Sequence, residues 1–220
     1  MKILCVSDQI DPLVYTNSIK QRFGDADLVL SAGDLPPDYL DFIVSSLNKP
    51  LFFVFGNHHL EDIRHYIRDS YRYYETDNEE KLWGSGAVHI HGTVKRENGI
   101  LIAGLGGCMK YNKGENQFTE NGMLFEMLKM LPKLFFNRIF RGRYLDILLT
   151  HAAPLGIHDK KDKCHKGFKC FLMFMRRFRP KYLIHGHIHL YDLSEARITK
   201  YRETMVINAY SHFMLDTEKL

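Results

Sequence analysis

What this 220-residue chain lacks already narrows its class. No apolar run nears the roughly 20 residues that a membrane-spanning helix needs. Cys5, Cys108, Cys164 and Cys170 form no C-x-x-C pair, so reduced thiols are expected in place of a disulfide framework or a cysteine zinc cluster. A metal corner at Cys164-His165 ranks low. The opening segment MKILCVSD has neither the long apolar stretch nor the small-residue cleavage site of a signal peptide, which makes a cytoplasmic protein the default expectation. No repeat, low-complexity tract or Gly/Ser/Pro linker divides the chain, so one domain over residues 1–220 is expected. The formal net charge is only +4 and aromatic residues do not clearly interleave with basic ones, so nucleic acid is disfavoured as a partner.

What the chain has is a set of short apolar runs, each closed by a polar residue. KILCVSD ends at Asp8, ADLVLSAGD at Asp34, PLFFVFGNHH at Asn57 and His58, LDILLTH at His151, and KYLIHGHIH at His187 and His189. Such runs read as buried strands. Strands are expected at 2–7, 27–32, 51–55, 87–95, 100–105, 145–150, 182–185 and 204–208, and helices at 38–47, 59–71, 119–130 and 167–178. Asn98-Gly99 marks a hairpin between the 87–95 and 100–105 segments. Alternating strands and helices point to a layered α/β domain with mixed sheets. Asp8, Asp34 and Asn57 offer hard oxygens, and His151, His187 and His189 offer imidazoles. That mixture suits Mn²⁺, Fe or Zn²⁺ better than Ca²⁺ or Mg²⁺. Either aspartate alone is more often a turn former than a ligand; the joint pattern reverses that balance.

The pattern resembles the calcineurin-like metallophosphoesterase superfamily, whose motifs run D-x-H, G-D-x, G-N-H-[DE], a later H and G-H-x-H. They stand here as Asp8, Gly33-Asp34, Gly56-Asn57-His58, His151 within THAAP, and Gly186-His187-Ile188-His189. The resemblance implies a four-layer α/β/β/α sandwich with two mixed sheets and two divalent cations, Mn²⁺ favoured and Fe or Zn²⁺ the alternatives. By the same resemblance Asp34 bridges the cations, Asn57, His151 and His187 complete one site, and Asp8 and His189 belong to the other. His58 is then catalytic, stabilising the transition state or protonating the leaving oxygen. The implied reaction is hydrolysis of a small phosphodiester or phosphomonoester by a metal-bridged hydroxide.

Two departures qualify this. Ile10 stands where the family has a histidine, so one site is weakened unless Gln9, Asp11 or a water substitutes. His59 stands where the family has an acid that supports the catalytic histidine. Elsewhere, Met123–Arg143 interleaves Phe, Leu and Met with Lys and Arg. It reads first as a helix with one apolar face on the core and its bases solvated. A cap over the site, a contact in a homo-oligomer, or a segment on anionic lipid are the other readings. His89 and His91 read as one face of a sheet, not ligands, and His185 has no assigned role. Asp159, Asp162 and His165 either contact substrate or lie in a solvated loop. Two rival functions remain: a catalytically weak binding module that keeps the fold, for which Ile10 speaks, and a membrane-surface phospholipid-type hydrolase.

Overall fold

A computed structural model of the chain describes residues 1–58, 86–192 and 194–218. The first apolar run forms β1 (Lys2–Ser7). Its side chains alternate between two cores: Ile3 and Cys5 face one, Leu4 and Val6 the other. A strand buried on both faces needs such an unbroken apolar run. The same rule builds β2 (Leu28–Ser31) and β3 (Leu51–Phe53), which pair in parallel with β1 and each other. β4 (Ala87–His89) extends this sheet beside β3, and β13 (Ser211–Asp216) closes its other edge antiparallel to β1.

The second sheet runs β11 (Ile198–Tyr201), β12 (Thr204–Asn208), β10 (Tyr182–His185), β9 (Ile147–Thr150), β6 (Ile100–Leu105) and β5 (Val94–Glu97). Its inner four strands are parallel and its two edges antiparallel. Ile3, Leu30 and Phe52 of the first sheet share a dry core with Ile102, Leu149 and Ile184 of the second. Outside the first sheet lie α1 (Ile19–Phe23) and α2 (Pro37–Leu47). Outside the second lie α3 (Glu120–Lys129), α4 (Leu131–Arg141) and α5 (Lys169–Phe178). Met123 and Met127 of α3 and Phe171 and Phe174 of α5 supply much of that outer core. The layers are therefore helix, sheet, sheet, helix, as expected. A short parallel pair, β7 (Cys108–Met109) and β8 (Gln117–Phe118), lies apart from both sheets.

One strand expectation needs correcting. The 87–95 segment is not a single strand: it leaves the first sheet after His89 and joins the second at Val94. The switch passes through Gly92, at φ +66°, and is held by the Thr93 hydroxyl donating to the Ile90 carbonyl at 3.0 Å. The hairpin turn is as expected, since Asn98 and Gly99 both take positive φ, 47° and 84°. The antiparallel edges β11 and β13 were not foreseen, because their half-exposed mixed sequences carry little apolar signal. The expected helix at 59–71 lies outside the described residues.

Phe174 is fully buried, with its ring centroid 4.6 Å from that of Phe178. Phe174→Ala should cost about 3–5 kcal/mol through lost burial and the cavity left behind. Urea unfolding would measure it, and a cost under about 1 kcal/mol would contradict this account of the outer core.

Candidate metal centre

Parallel strands deliver the polar residues to one end of both sheets. Asp8 follows β1, Asp34 lies just beyond β2 and Asn57 just beyond β3; His151 follows β9, and His187 lies just beyond β10. The carboxyl ends of the strands thus form a crevice with rigid backbone behind each side chain. It straddles the two sheets, so neither sheet alone could assemble it.

The local backbone is strained where the side chains must turn inward. Asp8 has φ 63°, and the Gln9 amide donates to the Ser7 carbonyl across it at 2.7 Å. His187 repeats the arrangement, with φ 64° and the Ile188 amide donating to the Gly186 carbonyl at 2.7 Å. These are three-residue γ-turns of the rarer, positive-φ kind. Asp34 is also left-handed, at φ 55°. Non-glycine residues in this region cost roughly 1–3 kcal/mol each and cluster at functional sites. Packing is equally tight: a Cβ on Gly186 would fall 1.8 Å from Ser7 Oγ and 2.5 Å from Asp8 Oδ2. On Gly56 it would fall 2.0 Å from Asp34 Oδ1. The motif glycines leave room for the carboxylates.

The centre's chemistry follows from which nitrogens carry protons. His151 Nδ1 lies 2.8 Å from the Ala32 carbonyl, and His187 Nε2 lies 2.9 Å from the Cys164 carbonyl. A carbonyl oxygen only accepts, so those two nitrogens are the donors. In the neutral rings His151 Nε2 and His187 Nδ1 are bare lone pairs, 3.1 Å apart. Asn57 Oδ1 is 3.2 Å and Asp34 Oδ2 3.4 Å from the same His151 Nε2. With both rings neutral, four acceptors thus converge with no proton among them, and among the described residues Asn57 Nδ2 is buried without a partner. A divalent cation bound by N and O ligands fits this set.

The electrostatics agree. Burial pulls His151 down, but Asp34 and then Asp8 outweigh it and raise its pKa to about 9. Burial pulls Asp34 upward, yet His151 and the His58 amide, which donates to Oδ1 at 2.8 Å, hold it well below the usual carboxylate range. His187 is driven down to about 3, first by burial and then by His151, and is therefore neutral. Without a cation, the centre holds its charge balance by protonating His151.

The second set is looser. The Asp8 side chain is buried and accepts the His187 amide on both oxygens at 2.9 Å. Burial raises its pKa, and Asp34 adds to the rise against the pull of His151. His189 Nε2 is 3.9 Å from Asp8 Oδ1, and its ring stacks on Tyr210 at 4.9 Å. The Tyr191 hydroxyl bonds His189 Nδ1 at 2.6 Å. Ile10 is exposed and offers no donor. Asp11 is not a substitute: its oxygens accept from Ser211 Oγ, His212 Nδ1 and the Leu13 amide. Gln9 Oε1 accepts the Tyr210 hydroxyl.

His58 has an exposed side chain beside Asn57, and His59 lies outside the described residues. His91 Nδ1 accepts the Gly106 amide and its Nε2 faces Glu126 at 3.4 Å, away from any ligand set. His185, left without a role by sequence reasoning, is buried in a chain running through His158 to the Thr199 hydroxyl, at 2.9 and 2.8 Å. The 159–168 loop is organised by its own acids. Asp159 accepts the Gly156 and Gly167 amides, and Asp162 accepts those of Cys164 and His165. This loop sets His165 against His187, ring centroids 5.2 Å apart, and brings the Cys164 and His165 donor atoms within 4.8 Å of those of His187. The low weight on Cys164-His165 missed this proximity, which only the loop's fold creates.

The fold and the acceptor cluster at its strand ends are those of a phosphoesterase scaffold. The chain belongs to the calcineurin-like phosphoesterase family, whose model matches residues 1–191. That family implies divalent metal ions. Among solved structures, TT1561 of Thermus thermophilus is similar at 17% identity and a TM-score of 0.63, covering 96% of this chain and 89% of that one. A second crystal structure is similar at 14% identity and a TM-score of 0.68, covering 99% of this chain and 95% of that one. At such identities the likeness carries the fold alone. No curated protein matches. No helix among the described residues is long and apolar enough to cross a membrane.

The His151 pKa gives a pH signature. In chelator-treated protein, the stabilisation from the raised pKa is complete below the ordinary value of 6.5 and is lost as pH rises through about 9. A cation must displace that same proton, so its stabilising effect grows over the same interval. Thermal unfolding should therefore show the Mn²⁺-induced rise in Tm widening from pH 6.5 toward pH 9. A rise that shrinks over that range would contradict the donor assignment.

Proposed function

We propose that this protein hydrolyses phosphate esters, a small phosphodiester or phosphomonoester, using two divalent cations of which Mn²⁺ is the favoured species. The observation that carries the reading is the convergence of Asp34 Oδ2, Asn57 Oδ1, His151 Nε2 and His187 Nδ1 around a point that calls for positive charge. Membership of the phosphoesterase family supports the reaction class. When bound, the cations supply Lewis-acid charge and lower the pKa of a water to near neutrality.

The chain's own residues supply the rest. Asp34, Asn57, His151 and His187 would hold one cation; Asp8, His189 and the shared Asp34 would hold the other. The backbone contacts to Ala32 and Cys164 hold both rings with His151 Nε2 and His187 Nδ1 turned toward the centre, so the rings are aimed before substrate arrives. His58 is fixed through its amide to Asp34 while its ring stays exposed beside Asn57. That suits a group donating a proton to the leaving oxygen. His165 and Cys164 lie against His187, where a substrate entering over the loop would meet them.

One observation favours a second reading. Ile10 cannot ligate, and Asp11 and Gln9 are committed elsewhere, so the Asp8–His189 site is short of donors. A catalytically weak binding module would have this character.

Turnover of chromogenic phosphodiester and phosphomonoester substrates with Mn²⁺ separates the two. His58→Ala should lower kcat by about 10²–10⁴-fold with metal content retained, whereas His187→Ala should lose metal as well. Silence with both esters across Mn²⁺, Fe²⁺ and Zn²⁺ would favour the binding module. Ile10→His should tighten the second cation, read as stoichiometry and affinity by calorimetry; an unchanged binding curve would count against the assignment of Asp8 and His189.

A further inference from the structure

Helix α4 is built the wrong way round for a helix that only packs on a core. Its inward side carries Leu134 and Asn137, both buried. Its outward side carries Phe135, Phe136, Ile139 and Phe140, with Ile139 74% and Phe140 69% exposed. At 100° per residue these four fall on one continuous arc opposite Leu134. Phe125 and Leu128 of the preceding α3 are exposed as well. The expectation that this stretch turns its apolar face inward therefore holds for α3, through Met123 and Met127, and fails for α4.

Cations border the apolar arc, and α4 contains no acid. Lys133 sits over the Phe136 ring at 5.9 Å, and Lys129 over Phe125 at 5.2 Å. Beside α4, against β5 and β6, lies a cavity of about 230 Å³ lined by Lys95, Arg96, Lys133, Asn137 and Arg141. Asn137 Oδ1 accepts Arg141 Nη1 at 2.6 Å and its amide donates to the Tyr144 carbonyl, so the cavity's floor is fixed. None of the four cations lining it has an acidic partner among the described residues. None of these residues belongs to the metal centre.

We propose that α4 docks the protein on an anionic lipid surface, its Phe136–Ile139–Phe140 face entering the apolar boundary while the Lys95/Arg96/Lys133/Arg141 cavity takes a lipid phosphate. Exposed aromatic residues flanked by bases are what interfacial helices present to such surfaces. Charge decides against a second copy of the chain as the occupant. A two-fold contact through this face would gather the bases bordering the arc, Lys133 and Arg138 of each copy, at one interface with no acid on α4 to offset them. An anionic headgroup layer satisfies the apolar arc and the cations together. The docking is independent of the reaction at the metal centre.

The test is co-sedimentation of the full chain with vesicles of phosphatidylcholine alone and with added phosphatidylglycerol, at low and high salt. Binding should require the anionic lipid and weaken with salt. Lys95→Glu/Lys133→Glu should weaken it by at least about fivefold per site changed. Ile139→Ser/Phe140→Ser should weaken it at least about tenfold while melting like the parent, since both side chains are already in water. Vesicles ignored by the parent chain, or bound equally by parent and both variants, would overturn the proposal. So would a dimer in sedimentation velocity that Ile139→Ser/Phe140→Ser dissociates without any vesicle binding, or capture of inorganic phosphate alone.

Discussion

Two backbone carbonyls govern the centre of this molecule. Ala32 accepts the hydrogen bond of His151 Nδ1–H and Cys164 that of His187 Nε2–H, which turns the opposite ring nitrogens toward each other. Asp34 and Asn57 complete a ring of acceptors. Such a cluster is stable only with positive charge in its middle, either a proton on His151 or a cation. The rest of the architecture can be understood as what holds those groups at that separation.

Five strand ends from two sheets share the work, and the inter-sheet core of Ile3, Leu30, Ile102 and Ile184 fixes their mutual distance. Strain is accepted in return. Asp8 and His187 sit at the apices of positive-φ turns, bridged to each other because the His187 amide donates to both Asp8 oxygens. Gly186 lies directly above that contact with no space for a methyl group. Asp8 and His187 are thus coupled through backbone. Beside the exposed Ile10, Asp11 serves as a clamp between the loop after β1 and the start of β13.

Much of this was legible in the chain because buried parallel strands leave continuous apolar runs, and each run's end is marked by the first polar residue. Asp8, Asp34, His151 and the His-x-His pair stand at such ends, which is why the sheets, and the crevice where these side chains gather, could be read. The break within 87–95 was not legible, since a strand that changes sheets keeps its apolar alternation on both sides of the switch. Nor was the placement of Cys164 and His165 beside His187. It depends on Asp159 and Asp162 capping amides within their own loop, and polar loop residues carry no directional signal in sequence.

The sequence by itself determined a layered α/β domain, which strands carry polar ends, and the chemical character of the donors, because these follow from periodicity and residue type. The tertiary structure alone decided which ring nitrogen is bare, that Asp11 is spent on β13, and that α4 turns its phenylalanines outward. Each of those depends on what a group meets across the fold, at separations in the chain of up to about two hundred residues, and local pattern cannot encode a partner so remote. An amphipathic period fixes that a helix has an apolar side; only packing determines which way that side faces.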